Sequence, residues 1–282
     1  MAASYQIGRV YGIPIRVHVT LLIILPLIAI DFAQALGTHS FFWGLLAAIG
    51  LFASVALHEL GHSLVALKKG FRAREILLLP IGGMAQMDQL PSNPKDEFQV
   101  AIAGPAVSML LALVGWFAGG LFGGLGLVRL GKVFYLLGSV NLMLVIFNLL
   151  PSFPMDGGRI FRAWLTPRVG RLMATNLAVK IGRGMAIAFG VIGLFSWNIF
   201  LILIALFIYQ AAGAEYRMVR LQEAARGYEH APWVTTEKMW PYEDQEVSVS
   251  PPPYRRGRGH TIFVRPIRAQ HDLFDDLFEK WR

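Results

Sequence analysis

The chain reads as an all-α polytopic membrane protein of about six transmembrane helices, with a small membrane-associated β-hairpin and a cytosolic tail. Three observations lead there. Hydrophobic residues make up 55% of the 282 positions and charged residues only 16%, with a mean hydropathy of +0.51. Apolar runs long enough to cross a bilayer recur from Val19 to Ala214. Lys and Arg collect in alternate connections between those runs, the pattern of a chain threaded through a membrane.

The first span runs from Val19 to Leu36 and contains Pro26 and Asp31. The second, Phe41 to Leu67, is apolar almost throughout. A polar stretch over 68–95 follows, with Lys68, Lys69, Arg72, Arg74 and Lys95. Inside it, Glu75 to Met87 (EILLLPIGGMAQM) carries two short apolar strands around Pro80 to Gly83, a hairpin whose open edge could pair with an unwound peptide. A plain surface hairpin fits the same residues. The third span extends from about Phe98 to Phe122, a glycine-rich connection follows, and the fourth runs from about Val133 to Leu150. A basic loop then carries Arg159, Arg162, Arg168 and Arg171. The fifth span must take in Lys180 and Arg183 near its start, their side chains snorkelling to the interface. Ser196-Trp197-Asn198 separates it from the sixth, about Ile199 to Ala214.

Arg9 and Arg16 in the amino-terminal arm, the basic loops, and Arg217 and Arg220 after the last span place both termini in the cytoplasm. No amino-terminal signal peptide is expected, since a patterned arm precedes the first apolar run and no small-residue cleavage site follows it. The net charge of +8 belongs with these loops and with anionic lipid, so no nucleic-acid partner is expected. The chain divides into a membrane domain over 1–221 and a tail over 222–282. The tail holds Pro251-Pro252-Pro253 and a basic run from Arg255, and is either partly disordered or ends in a short amphipathic helix through Leu273, Phe274, Leu277 and Phe278.

Within the second span stand His58-Glu59-Leu60-Gly61-His62. Two histidines four apart share a helix face and can grip one metal ion, while Glu59 can move protons to and from a water on that ion. Titratable groups inside an apolar helix are costly and mark function by default. The chain has no cysteine, so a metal must be held by nitrogen and oxygen, and neither a disulfide framework nor a thiol nucleophile is available. A catalytic zinc takes three protein ligands, and the best candidate for the third is Asp156 in NLLPSFPMDGGRI. That segment follows the fourth span, which by the charge count ends at the depth of the histidines. Pro151 and Pro154 break the helix there, and Gly157 and Gly158 let the backbone turn sharply. His18, His39, His230, His260 and His271 have no partner at ligand spacing and read as structural or solvated. Gly104-Pro105 with Ser108 reads as close helix packing.

HELGH in one span and NLLPSFPMDGGR at the end of a later one, with IGRVYGIPIRVH, LLPIGGMAQM and EFQVAIAGPAVSM in the same order, resemble the site-2 protease family of intramembrane zinc metalloproteases. The likeness covers roughly residues 5 to 220. It implies one zinc per chain on His58, His62 and Asp156, with Glu59 as general base and acid and a role for Asn148 near the metal. The Asn148 amide either stabilises charge on the substrate carbonyl or merely satisfies a neighbouring helix. The family resemblance also implies transmembrane proteins as substrates and a hairpin at 75–87 near the active site, while the need for water at the metal and the charge count put the opening toward the cytoplasm. Where relatives often carry Asn, this chain has Ser108, and Met155 replaces a more usual Leu. Neither a PDZ module nor a CBS pair fits the available loops and tail, and a homo-oligomer is compatible with everything above. Two other readings remain at this stage: a membrane protein that binds or transports a divalent metal, and a scaffold that holds transmembrane helices without cutting them. Glu59 separates the first from a hydrolase, since transport needs ligands on two sides of a path rather than an acid beside the metal.

Overall fold

The computed structural model describes residues 4–229 except 39, 81, 88–90 and 92. Contacts divide the chain into Met1–Arg226 and Gly227–Arg282, and all that follows concerns the first unit apart from the last turn of its final helix. The amphipathic segment and the histidines expected in the tail, together with His39, lie outside the described residues.

Seven helices and four strands are present among the described residues. Two strands open the chain, β1 (Ser4–Val10) and β2 (Ile13–His18), followed by α1 (Val19–Ala35) and α2 (Phe41–Lys68). Next come β3 (Ala73–Leu79) and β4 (Gly82–Met87), then α3 (Pro94–Gly124), α4 (Val128–Asn148), α5 (Asp156–Val169), α6 (Arg171–Phe195) and α7 (Ile199–Glu229). Five helices are long and apolar enough to cross a membrane: Phe41–Lys68, Pro94–Gly124, Val128–Asn148, Arg171–Phe195 and Ile199–Ala224. The protein is therefore a mostly helical membrane protein. α1, with 17 residues, is apolar but shorter.

Two expectations need correction. The fold is not all-α, because the amino-terminal arm is itself a hairpin that joins the later one in a single sheet of order β1-β2-β3-β4. β2 runs parallel to β3, with Ile15 opposite Ile76 and Val17 opposite Leu78, while the flanking pairs are antiparallel. Ile13, Val17, Ile76 and Leu78 alternate along their strands and bury one face of the sheet on Phe52 and Val55 of α2. The arm's alternation was visible, but its partner strand lies some sixty residues away, a pairing that local pattern does not carry. The basic loop after the fourth span is the second correction, since it folds as α5.

The helices present large apolar side chains outward, including Ile23 at 67% exposure, Phe117 at 76% and Phe200 at 75%. In water such a surface would aggregate; against lipid tails it is the stable arrangement. The inward faces are small. Gly115 and Gly138 leave so little room between α3 and α4 that a Cβ on Gly115 would come within 2.8 Å of the Gly138 Cα, the close backbone approach that small residues permit in membranes.

Candidate metal centre

α2 brings His58 and His62 to one buried face, and α5 begins with Asp156 facing them. The Nε2 atoms of the two histidines are 3.2 Å apart, and Asp156 Oδ2 lies 3.2 Å from one and 3.1 Å from the other. These ligand atoms form a nearly equilateral triangle. A tetrahedral zinc with bonds of about 2.0–2.1 Å spaces its ligands by about 3.3 Å, so the triangle fits as one face of such a site with the fourth position free.

The other ring nitrogens are committed. His62 Nδ1–H donates to the Val100 carbonyl at 2.7 Å, and His58 Nδ1 pairs with Ser108 Oγ at 2.9 Å. Both partners lie on α3, and both turn Nε2 toward the shared point, as hydrogen bonds do behind metal-bound histidines. Val100, Gly104 and Ser108 are four residues apart and form one stripe along α3. Between the two partners, Gly104 makes the space: a Cβ there would sit 2.2 Å from His62 Nε2 and 2.7 Å from His58 Nε2. Gly61 does the same from α2, since its Cβ would meet the Ala103 carbonyl oxygen at 2.9 Å. The glycine inside HELGH thus lets α3 come close enough to orient both histidines.

Asp156 is held by an equally tight turn. A Cβ on Gly157 would lie 2.2 Å from the Leu150 carbonyl oxygen, and one on Gly158 2.7 Å from the Ser152 carbonyl carbon. Both glycines are helical, so they serve close approach of the preceding loop rather than the sharp turn expected of them. Burial opposes the charge on Asp156, and the two histidines outweigh it, holding the carboxyl well below the usual carboxylate range. Its place in the first turn of α5 adds the positive end of a helix dipole. An anionic carboxylate and two imidazoles are a donor set suited to a borderline divalent ion such as zinc.

Glu59 is half-buried under the sheet rather than open to solvent. Its Oε2 accepts the Ala85 N–H of β4 at 3.1 Å, and a Cβ on Gly83 would strike Glu59 Cγ at 2.5 Å. β4 is the last strand of the sheet, so among the described residues no strand pairs with its far edge. Asn148 ends α4, half-buried, and its amide makes no hydrogen bond among the described residues. Leu149, directly after it, packs against Gly157, directly after Asp156.

His18 takes the structural role expected of it, accepting the Thr20 N–H at the start of α1. Sequence reasoning missed the Val100 carbonyl and the function of Ser108, which it assigned to packing. For Ser108 a signal existed, a polar side chain one turn after Gly104 in an apolar helix; for the Val100 carbonyl there was none. It also placed Arg162 among loop charges, whereas that side chain is fully buried between Glu97 and Glu215. Arg183, expected to snorkel, lies over the Tyr209 ring at 4.9 Å.

A bundle of apolar helices around a His-His-Asp triangle, with a glutamate next to the first histidine, defines the class as a membrane protein with a group of side chains that could hold a metal ion. The chain belongs to peptidase family M50, whose profile matches residues 46–130 and 125–189. A zinc metalloprotease of Methanocaldococcus jannaschii is 42% identical over 224 residues, covering 79% of this chain and 63% of that protein. Stage IV sporulation protein FB of Bacillus subtilis is 31% identical over 143 residues, covering 46% and 48% respectively. The solved structure of a site-2 protease from Methanocaldococcus jannaschii aligns with a TM-score of 0.55 and 41% identity, covering 76% of this chain and 95% of that one. The chain spans less than two thirds of the length of both curated relatives.

Proposed function

We propose that this protein is an intramembrane zinc metalloendopeptidase that hydrolyses peptide bonds in or next to transmembrane segments of other membrane proteins. The observation that carries the reading is the triangle of His58 Nε2, His62 Nε2 and Asp156 Oδ2, with both remaining ring nitrogens already bonded to α3. These three residues hold one zinc per chain. When bound, zinc supplies a Lewis acid for the scissile carbonyl and makes water a nucleophile at neutral pH.

The remaining steps belong to side chains and backbone. Glu59 takes the proton of the attacking water and delivers it to the departing amine nitrogen. The Asn148 amide donates to the carbonyl oxygen as charge develops on it. A helical substrate hides its carbonyls behind its own hydrogen bonds, so it must unwind before it reacts. The outer edge of β4 offers an unwound segment a strand to pair with, beside Glu59.

The membrane domain covers 1–221 and counts six spans, α1 included, with both termini and the opening of the site toward the cytoplasm; 222–282 forms the tail. The basic residues of the connections support this orientation for a chain in the cell membrane.

The test compares membrane-protein fragments in cells making the native chain with those making Glu59→Gln. Fragments ending in or beside transmembrane segments are expected with the native chain and absent with the variant, while both proteins retain zinc. Identical fragment patterns with zinc held by both would overturn the protease reading.

A further inference from the structure

Among the described residues Arg162 is the largest side chain with no exposed surface. Its Nε donates to Glu97 Oε1 at 2.8 Å, its Nη2 donates to the same oxygen, and its Nη1 donates to Glu215 Oε1 at 2.7 Å. The guanidinium carbon lies 4.9 Å from the centre of the Phe153 ring. One fork thus joins three helices: α5 through Arg162, α3 through Glu97 and α7 through Glu215. Taking these charges out of water is costly, and apolar replacements of such buried triads are often neutral for stability. Holding the bundle together is therefore a weak reason for the triad to exist.

Its location supplies a better one. Glu97 stands one turn before Val100 on α3, so Glu97, Val100, Gly104 and Ser108 follow one another along the face that touches both histidines. Arg162 stands ~9 Å along α5 from Asp156, the first residue of that helix. Phe153, against the guanidinium, belongs to the loop that folds onto the same first turn. The fork therefore spans the two helices whose separation sets the triangle, one bearing the third ligand and the other orienting the first two.

We infer that Arg162 is a positioning residue of the metal centre, which with Glu97 and Glu215 holds α5 against α3 so that Asp156 Oδ2 meets the two Nε2 atoms at bonding distance. The inference rests on the assignment of those three residues as ligands. Arginine is required because two of its nitrogens serve Glu97 while the third serves Glu215, whereas lysine offers a single point charge.

The experiment uses the full chain in lipid nanodiscs and a triple variant, Glu97→Met, Arg162→Met and Glu215→Met, which leaves no buried charge unpaired. Zinc affinity is measured by chelator competition, the visible spectrum is recorded with Co2+ in place of zinc, and thermal melting checks the fold. The expected result is a folded protein that binds zinc about 10–100-fold more weakly, with a changed Co2+ spectrum, the size of effect that supporting hydrogen bonds have on metal ligands. A folded triple variant with native affinity and spectrum would overturn the inference. Should the triple variant not fold, Arg162→Lys decides: weakened zinc binding upholds the inference, and native binding overturns it. His58→Ala is measured alongside. If it keeps native zinc binding, the ligand assignment itself has failed; if it loses zinc while the triad variants do not, only the role of Arg162 has.

Discussion

At Gly104 one hydrogen atom stands where any other residue would put a carbon, 2.2 Å from His62 Nε2 and 2.7 Å from His58 Nε2. Gly104→Ala must therefore displace both imidazoles or push α3 away, and in either case the bonds to Val100 and Ser108 are strained together. Loss of a single supporting hydrogen bond costs about 10–100-fold in metal affinity. Gly104→Ala is expected to cost at least about 100-fold, read by chelator competition on the purified chain, with helix content unchanged by circular dichroism. Native zinc affinity in the variant would show that the rings do not sit where the triangle requires. At this scale the meeting of the two histidines with Asp156 was legible, because titratable groups in apolar stretches are costly. Two polar residues next to one another in an apolar helix, and an Asp-Gly-Gly at the matching depth, stand out from composition alone. The Val100 carbonyl was not legible, since every residue has one and only the helix crossing selects it.

Strand β4 and helix α2 form the next unit, for the strand reaches the site through its backbone. Gly83 lies flat on Val55 and Glu59, with room for a Cβ only at 2.9 Å and 2.5 Å from their Cγ carbons. Gly83→Val would lift the strand from the helix and break the bond between Ala85 N–H and Glu59. Because the metal ligands contact α3 and α5 rather than β4, zinc binding should persist while proteolysis falls by about 10²-fold, the cost of misplacing a reacting group by an ångström. A variant that loses zinc as well, or one that cleaves a transmembrane substrate at the native rate, would contradict this. The elements themselves were unevenly legible. Long apolar runs announced α2, α3, α4, α6 and α7 to within a few residues at most ends, but α5 was hidden. Its glycine pair resembles a turn, its charges resemble a loop, and the contacts that make those glycines helical come from Leu150 and Ser152 in the preceding segment. The parallel pairing of β2 with β3 was equally beyond local pattern, because it depends on where α1 and α2 return the chain.

That return constrains the whole molecule. β2 leads directly into α1, α2 leads after four residues into β3, and β2 and β3 are neighbours in one sheet with Arg16 opposite Leu77. The chain must leave the sheet and come back to the same side of it. If α2, 28 residues and ~42 Å long, crosses the bilayer, then α1 must cross it in the other direction, although its 17 residues reach only ~26 Å against a hydrocarbon core of about 30 Å. Local thinning or the polar turn at Gly37 and Thr38 can make up so small a shortfall. An even number of crossings then follows for the α1–α2 pair, and the amino-terminal arm shares its side with the basic connection after α2. Alkaline phosphatase, active only outside the cytoplasm, tests this when fused after Gly12, Thr38, Gly70 and Gly126 in turn. Fusions after Thr38 and Gly126 are expected to be active, and those after Gly12 and Gly70 inactive. Equal activity after Gly12 and Thr38 would mean that α1 does not cross, and it would then be impossible for β2 and β3 to share a sheet while α2 spans the membrane. Activity after Gly70 but not after Thr38 would invert the orientation and turn the mouth of the metal centre to the outside, against the direction in which the basic residues point.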